Sequence, residues 1–152
     1  MNITIRTARP EDAAVIADFN TRLAAETESK TLDSATIRAG VVALLADPSK
    51  GRYFVAESEG KIIGQTAVSF EWSDWRNGMI WWLQSVYVCA EFRAKGVFRA
   101  LFNSIRLTAL QEGVIGIRLY VDEENRRGQS AYRSLGMERL RYQVFEVMLQ
   151  TV

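Results

Sequence analysis

Histidine is missing from this chain of 152 residues, and cysteine occurs once, at Cys89. Without histidine the chain cannot use Ser-His-Asp or Cys-His catalysis, and it lacks the usual zinc ligand sets and the commonest general base. A single cysteine excludes an internal disulfide and argues against a thiolate metal site. The sequence therefore predicts no metal and a reducing, cytoplasmic location.

The chain also has little net charge, no long apolar run, and few of the proline and glycine residues that interrupt helices and strands. A formal net charge of +1 argues against a nucleic-acid binder, because such proteins need many clustered Lys and Arg contacts to phosphate. No run approaches the roughly 18 apolar residues of a membrane span, and the first residues, MNITIRTARPED, lack a signal pattern. Two prolines and ten glycines leave little room for disorder. We expect neither nucleic acid nor a membrane as a partner.

The hydrophobic pattern predicts one domain over residues 1–152. The expected elements are a strand at 2–7, a helix at 10–23, a polar loop at 25–31, a helix from Asp33 or Ser34 to 46, strands at 52–57, 61–72 and 79–88, a helix at 96–112, a strand at 115–123, a helix at 125–136, and one long strand or a bent pair at 137–149. This order predicts the α+β class, with a mixed central sheet of about six or seven strands flanked by four helices. The strands on either side of the third helix are expected to run parallel.

The stretch EFRAKGVFRALF, residues 91–102, follows the apolar run VYV and opens a helix at a glycine. The amino end of a helix favours an anion such as pyrophosphate, and Arg93, Lys95 and Arg99 would add positive charge at the same corner. The alternative is a helix start with solvated basic residues. A second pattern places Tyr132 seven residues after Asn125, two helical turns on and therefore on the same side of the helix. Its alternative is a helix cap followed by a core aromatic.

Both patterns together resemble the GCN5-related N-acetyltransferase (GNAT) family. Its central motif, Q/R-x-x-G-x-G/A between a strand and a helix, is similar to residues 93–98. Its second motif is similar to Asn125 and Tyr132 followed by Leu135-Gly136-Met137. Phe98 stands where the family usually has Gly or Ala, and Gly128 replaces the usual Ala.

The resemblance implies transfer of an acetyl group from acetyl-CoA, as co-substrate, to an amine in a direct ternary complex. It implies that Val86 and Val88 pair with the pantetheine amides as an added strand would, and that Tyr132 protonates the departing thiolate. The implied acetyl-CoA residues are Val86, Tyr87, Val88, Arg93, Ala94, Lys95, Gly96, Val97, Phe98, Arg99, Asn125 and Arg127.

The acceptor side is implied by the same resemblance. Glu26 and Glu28, in the loop between the first two helices, and Glu71 and Asp74, at the end of the third strand, would border the acceptor cleft. Trp75 would add aromatic surface for a cationic substrate. Gln84 lies near where many relatives carry a glutamate general base. An amide cannot take a proton, so the expected base is Glu28 or Glu71, while Glu26, Asp74, Trp75 and Gln84 would bind substrate.

Two other classes of function compete with an N-acetyltransferase. One is a non-catalytic acyl-CoA-binding sensor or scaffold, favoured if Gln84 leaves the site without a base. The other is a structural or interaction protein that has kept only the fold, which would show no CoA-dependent stabilisation. The sequence leaves open whether the amine is a small molecule or a peptide, and whether the chain forms a homodimer.

Overall fold

Five strands and four helices make up the described part of the chain, residues 1–151 of a computed structural model. In chain order they are β1 (Thr4–Thr7), a 3-10 turn (Pro10–Asp12), α1 (Ala13–Glu28), α2 (Ser34–Ala46), β2 (Arg52–Ser58), β3 (Lys61–Ser73), β4 (Gly78–Val88), a 3-10 turn (Ala90–Phe92), α3 (Val97–Gln111), β5 (Gly116–Leu119) and α4 (Arg126–Ser134). The α+β class and the four helices are confirmed.

The strands form one sheet in the order β1-β2-β3-β4-β5. The first four are antiparallel to their neighbours, whereas β4 and β5 run parallel, from Ile80 beside Gly116 to Leu83 beside Leu119. Parallel neighbours need a crossover connection, and α3 supplies it. The expected parallel arrangement on either side of this helix is therefore confirmed.

Helices cover both faces of the sheet. On one face, α1 and α2 pack through Ile16 and Val41 against Tyr53, Val55 and Ala67 of β2 and β3. Alternate strand residues point the other way, so Phe54 and Val68, both buried, face the opposite side with α3. Leu101 and Ile105 of α3 are fully buried there. The sheet is thus the middle layer, which explains why β3 and β4 read as largely apolar runs.

Three expectations about elements are wrong. The sheet has five strands in the described residues rather than six or seven, because residues 137–149, expected as a strand, have no strand partner there. The polar segment 25–31 is not all loop, since α1 continues to Glu28 and ends at Ser29, whose φ is 52°. The helical spacing of Val97, Leu101, Ile105 and Leu110 predicts a buried stripe on α3, but Leu110 is 66% exposed and Ala109 is buried instead.

The described chain divides into two compact units, Met1–Tyr120 and a second that begins at Val121. The first contains the whole sheet, and the second contains α4. Within the second unit, the side chain of Asn125 caps α4 by accepting a hydrogen bond from the N–H of Gly128 at 2.9 Å. The single domain over residues 1–152 stays a prediction. Among residues 1–151, no helix combines the length and the apolar character that crossing a bilayer requires.

Candidate active site

A bulge interrupts β4 at Ser85 and Val86. Gln65 lies opposite Tyr87 and Ala67 lies opposite Gln84, so one residue of β3 faces two residues of β4. Ser85 has a φ of 53°, a left-handed conformation that is uncommon outside glycine. A bulge of this kind bends the strand and changes the direction of the residues that follow it.

Two buried side chains of β3 hold the bulge. The Nε2 group of Gln65 donates to the carbonyl of Ser85 at 3.3 Å, and the hydroxyl of Thr66 donates to the carbonyl of Gln84 at 3.1 Å. Both side chains are fully buried, and Gln65 also donates to Asn20 of α1 at 3.1 Å. These side-chain hydrogen bonds replace ladder bonds that the extra residue of β4 disrupts.

Beyond the bulge, β4 has a neighbour on only one side. Its pairing with β5 ends at Leu83, while its pairing with β3 continues to Val88. Within residues 1–151, the β5-facing edge of residues 84–88 therefore has no strand partner. Tyr87 is buried against Phe19, with ring centres 5.0 Å apart, so it would reach a ligand through its backbone. Burial raises the pKa of the Tyr87 hydroxyl. An unpaired edge is the element that β-strand addition requires.

The chain turns from this edge into the amino end of α3. Ala94 and Gly96 both have left-handed backbones, with φ of 60° and 83°. A Cβ atom on Gly96 would meet nothing within 4 Å, so its backbone conformation, not close packing, is what favours glycine here. The first turn of α3 contains no acidic residue. Helix amino ends carry free N–H groups and partial positive charge, and this one is therefore suited to an anion.

Arg93 joins the edge of β4 to the end of α1. Its Nε donates to the carbonyl of Val88 at 2.9 Å, and its Nη2 donates to the carboxylate of Glu26 at 2.6 Å. The guanidinium also lies over the ring of Tyr87, 5.4 Å from its centre. The structure thus brings together Arg93, expected to bind the cofactor, and Glu26, expected to bind the acceptor. Glu26 lies in the last turn of α1 rather than in a loop.

The other residues of the central motif lie on or beside α3. Lys95 is exposed, with its ammonium 5.6 Å from the centre of the Phe92 ring. Val97 is buried, and Phe98 is half-buried with its ring tilted against Phe102, 6.3 Å between centres. Arg99 is exposed. The bulky side chain at position 98 therefore has an aromatic neighbour on its own helix.

Glu71 belongs to a separate cluster. Its carboxylate accepts a hydrogen bond from Arg118 of β5 at 3.2 Å. Arg118 lies over the ring of Trp82, 5.9 Å from its centre, and Trp82 stacks on Tyr120 with ring centres 4.5 Å apart. Glu71 pairs with Ile80, eight residues along β4 from Val88, which corresponds to roughly 27 Å of extended strand. Glu71 and Glu26 therefore lie towards opposite ends of β4.

The remaining acceptor-side candidates are spread along the β3–β4 hairpin. Asp74 and Trp75 lie in its turn, where Asp74 accepts a hydrogen bond from the N–H of Trp75 at 2.9 Å and Trp75 is 89% exposed. Gln84 is exposed and donates to the hydroxyl of Ser69 at 3.0 Å. Glu28 ends α1, with its carboxylate 4.0 Å from the ammonium of Lys30. The candidates thus do not form a single cluster.

The second unit contains the other motif. Asn125 is the cap of α4, Arg127 is exposed in its first turn, and Tyr132 lies in its second turn. A Cβ atom on residue 128 would lie 2.6 Å from the Nδ2 of Asn125, so Gly128 leaves room for the cap side chain. Burial raises the pKa of Tyr132, which keeps its hydroxyl protonated at neutral pH.

Sequence reasoning missed Gln65, Thr66 and Ser85, the residues that form the bulge. Polar residues inside an apolar strand were the available signal, because KIIGQTAVSF places Gln65 and Thr66 at adjacent positions within a buried run. Buried polar side chains are usually satisfied by a specific partner. Ser85 carried no such signal, since its left-handed backbone is imposed by the pairing of β3 with β4.

Comparison with known families decides the class to which this arrangement belongs. The model of the acetyltransferase (GNAT) family matches residues 16–137. The chain belongs to the GNAT family. The match includes both motifs and the bulged strand between β3 and α3, so the expected resemblance is confirmed.

Relatives of this GNAT chain include a possible acetyltransferase from Clostridium difficile 630. That solved structure is 44% identical, covers 99% of this chain and 100% of its own, and superimposes with a TM-score of 0.91. Thialysine N-epsilon-acetyltransferase from Bos taurus is 29% identical over 79 residues, 52% of this chain and 46% of the bovine enzyme. The chain thus aligns with about half the length of this curated relative.

A third relative provides a liganded example of the fold. A predicted acetyltransferase from Clostridium acetobutylicum, solved with acetyl-CoA, is 17% identical, covers 97% of each chain and has a TM-score of 0.79. This GNAT chain has an open strand edge with unpaired backbone groups, and a helix amino end that carries no acidic residue and is suited to an anion. In the described residues, no group of three or more metal-ligating side chains could hold a metal ion.

Proposed function

We propose that this chain is an acetyl-CoA-dependent N-acetyltransferase that transfers the acetyl group directly to an amine in a ternary complex. One observation carries the proposal: in a GNAT chain, the unpaired edge of β4 leads through Gly96 into the amino end of α3. When bound, acetyl-CoA supplies the activated thioester. The chain supplies positions for both reactants, and such positioning can account for most of the rate of a two-substrate reaction.

The cofactor side is assigned to residues 86–88 and to the turn around Gly96. The backbone of Val86 and Val88 would pair with the pantetheine amides, as strand addition does. The amino end of α3, with Arg93, Lys95 and Arg99, would hold the pyrophosphate. Arg93 already has Glu26 as a partner, so its charge is shared between a carboxylate and the ligand. Ala94, Val97 and Phe98 would contribute backbone rather than charge, and Asn125 and Arg127 are assigned to acetyl-CoA from the family motif.

One side chain of the protein is assigned to each of the two proton transfers, one to the leaving sulfur and one from the acceptor amine. The hydroxyl of Tyr132 would donate its proton to the sulfur that leaves, and because burial raises its pKa, the group holds that proton at neutral pH. A carboxylate, Glu28 or Glu71, would take the proton from the ammonium of the acceptor. Glu26, Asp74, Trp75 and Gln84 are assigned to substrate binding. The acceptor is a small-molecule or peptide amine, and thialysine is the first to test because the bovine relative is named for it.

Turnover separates this proposal from its main rival. The protein is incubated with acetyl-CoA and a panel of amines, thialysine first, and mass spectrometry measures the masses of the products. Calorimetry measures acetyl-CoA binding separately. The proposal expects binding together with an amine heavier by one acetyl group. Binding without any acetylated amine would support the non-catalytic acyl-CoA-binding sensor or scaffold instead. If the protein neither binds acetyl-CoA nor acetylates an amine, both functions are contradicted, and an interaction protein with this fold remains.

A further inference from the structure

Arg118 of β5 is a partly buried arginine whose hydrogen-bond donors are mostly unused. Its side chain is 25% exposed and lies over the ring of Trp82, 5.9 Å from the ring centre. Its Nη1 donates to the carboxylate of Glu71 at 3.2 Å. Within residues 1–151, its Nη2 and Nε groups have no hydrogen-bond partner. A guanidinium carries five N–H donors in a planar fork that matches a carboxylate, so Arg118 is held in place with donors to spare.

Arg52 has the same kind of surroundings but uses its donors more fully. Its guanidinium lies over the ring of Trp81, 5.2 Å from the centre, and its side chain is 32% exposed. Its Nη1 donates to one carboxylate oxygen of Glu112 at 3.2 Å, and its Nη2 lies 3.1 Å from the other oxygen. Neighbouring residues of β4 point to opposite faces of the sheet, so Trp81 and Trp82 belong to separate clusters. Arg52 is therefore the structural counterpart of Arg118, with its fork already occupied.

The Arg118 cluster is continuous with the bulge of β4. Trp82 pairs with Ser69 on one side and with Arg118 on the other. Ser69 in turn accepts a hydrogen bond from Gln84, the residue that precedes the bulge. Gln84 is two residues beyond Trp82, which corresponds to roughly 7 Å along the strand. One row of side chains on the sheet thus runs from the strand edge assigned to acetyl-CoA to Arg118 and Glu71.

We propose that Arg118 and Glu71 bind the head group of a free amino acid, which is the acceptor of the N-acetyltransferase reaction proposed above. The remaining donors of Arg118 bind the α-carboxylate, for which paired N–H groups are the preferred partner. Glu71, whose side chain is 43% exposed, binds the α-ammonium. An amine and a carboxylate on one carbon lie too close together to span the distance to Gln84. The amine that is acetylated is therefore a second one, at the end of the side chain.

Lysine and cadaverine test the contact with Arg118, because cadaverine is lysine without its carboxylate. The protein is given acetyl-CoA with each amine, and kcat/KM is measured for both. The parent should favour lysine at least about tenfold, as expected for a hydrogen bond between charged groups. Arg118→Gln should abolish most of this preference by raising KM for lysine. Arg118→Lys, which keeps the charge without the fork, should restore part of it.

Arg52→Gln is the matched control, since it removes an arginine with the same kind of ring and carboxylate contacts, and it should keep the parent's preference for lysine. Circular dichroism shows whether each variant is folded. An equal loss of preference in folded Arg52→Gln and Arg118→Gln would overturn the inference.

The parent alone can also overturn the inference, without any variant. Acetylation of cadaverine as efficiently as lysine would do so, and so would acetylation of other amines but of neither member of this pair. Both results would leave an N-acetyltransferase whose acceptor is recognised in another way. A protein that acetylates no amine at all would contradict the proposed function itself, and this inference with it.

Discussion

Gln65 and Ser85 meet where β4 leaves its regular ladder, the amide Nε2 of Gln65 donating to the carbonyl of Ser85 at 3.3 Å. Gln65 is completely buried, and its Oε1 atom accepts no hydrogen bond within residues 1–151. The side chain therefore acts as a donor between α1 and the bulge. Since the bulge precedes the open edge of β4, a contact inside the core sets the position of the surface assigned to acetyl-CoA.

Removing these donors should weaken both the fold and the cofactor site. Gln65→Met removes the donor to the buried Oδ1 of Asn20 and to the part-buried carbonyl of Ser85, and should lower the free energy of unfolding by about 1–3 kcal/mol. Thr66→Val, which removes the donor to Gln84, should cost about 1 kcal/mol. Both should lower acetyl-CoA affinity several-fold. Urea unfolding and calorimetry measure the two effects. Ser69→Ala, which removes only the exposed bond to Gln84, is the control, and equal losses in all three variants would contradict the role of the bulge.

Gly96 should be required for its backbone angle. A side chain would have open space, but the φ of 83° is left-handed, which Asn tolerates and a β-branched residue does not. Gly96→Val should therefore reduce acetyl-CoA affinity far more than Gly96→Asn does, with a loss of stability of about 1–2 kcal/mol for Val. Calorimetry and thermal unfolding test this. Gly40→Ala, in the middle of α2, is the control and should be neutral or stabilising. Unchanged binding by Gly96→Val would show that the anion binds elsewhere.

Glu26 should compete with the anionic ligand for Arg93. The carboxylate lies 2.6 Å from the guanidinium at a partly exposed position, where such a pair contributes about 0.2–1 kcal/mol. Glu26→Gln should therefore tighten acetyl-CoA binding by up to about fivefold, less at high salt, whereas Arg93→Ala should weaken it. Titration calorimetry at two ionic strengths provides the measurement. Glu28→Gln, on the same turn of α1, is the matched control for binding. Weaker binding by Glu26→Gln would mean that Glu26 orients Arg93.

Local patterns in the sequence were enough for most of the fold. The sequence Ser58-Glu59-Gly60 between two strand patterns indicates a hairpin turn, and Glu59 and Gly60 are left-handed there, with φ of 50° and 75°. The polar composition of AETESKT predicts a loop at 25–31 and so ends α1 too early, although Ala and Glu are strong helix formers. The strand expected at 137–149 shows the limit of periodicity, since alternation describes a strand's faces and a partner edge decides whether it forms.

The candidate site was less predictable than the fold, for a physical reason. The motif around Gly96 is local, so the helix that opens at this glycine followed from the sequence. The ion pairs of Arg93 with Glu26 and of Arg118 with Glu71 join residues 67 and 47 positions apart, and no short-range pattern reports them. These pairs are what divide the acidic candidates between two ends of β4.

Tyr132 should act as an acid over the whole neutral and mildly alkaline range. Its pKa lies above the usual value of 10.0 because burial disfavours the phenolate, so the hydroxyl loses its proton only at higher pH. Tyr132→Phe should lower kcat by roughly 10²–10⁴-fold with little change in acetyl-CoA affinity. In the parent, kcat should not decline through loss of this proton below about pH 10. Unaltered kcat in Tyr132→Phe, with correct folding, would make Tyr132 a packing residue. Tyr142→Phe is the control, since that side chain is 81% exposed.

We propose Glu28 rather than Glu71 as the base. Glu71 is held by Arg118 at 3.2 Å, and its place opposite Ile80 lies far along β4 from Val88. Glu28 ends α1, the helix from which Glu26 reaches Arg93, and its only ion pair is a long one, 4.0 Å to Lys30, in the part of the chain that the structure describes. A carboxylate must be ionised to take the proton of an ammonium, so activity should fall at acidic pH.

The pH profile of kcat/KM distinguishes the two carboxylates. When the enzyme has a general base, the acidic limb of the profile reports the ionisation of that base. Without a base, the limb should move towards the pKa of the amine itself, about 10.4 for an alkylamine like lysine. We expect Glu28→Gln to move the limb in this direction and to lower kcat/KM at neutral pH, while Glu71→Gln keeps the parent's limb and mainly raises KM. Glu59→Gln, in the β2–β3 turn, controls for the loss of a surface charge. If both Glu28→Gln and Glu71→Gln keep the parent's limb and rate, neither residue is the base. The better account would then be that the amine enters from bulk solution already deprotonated.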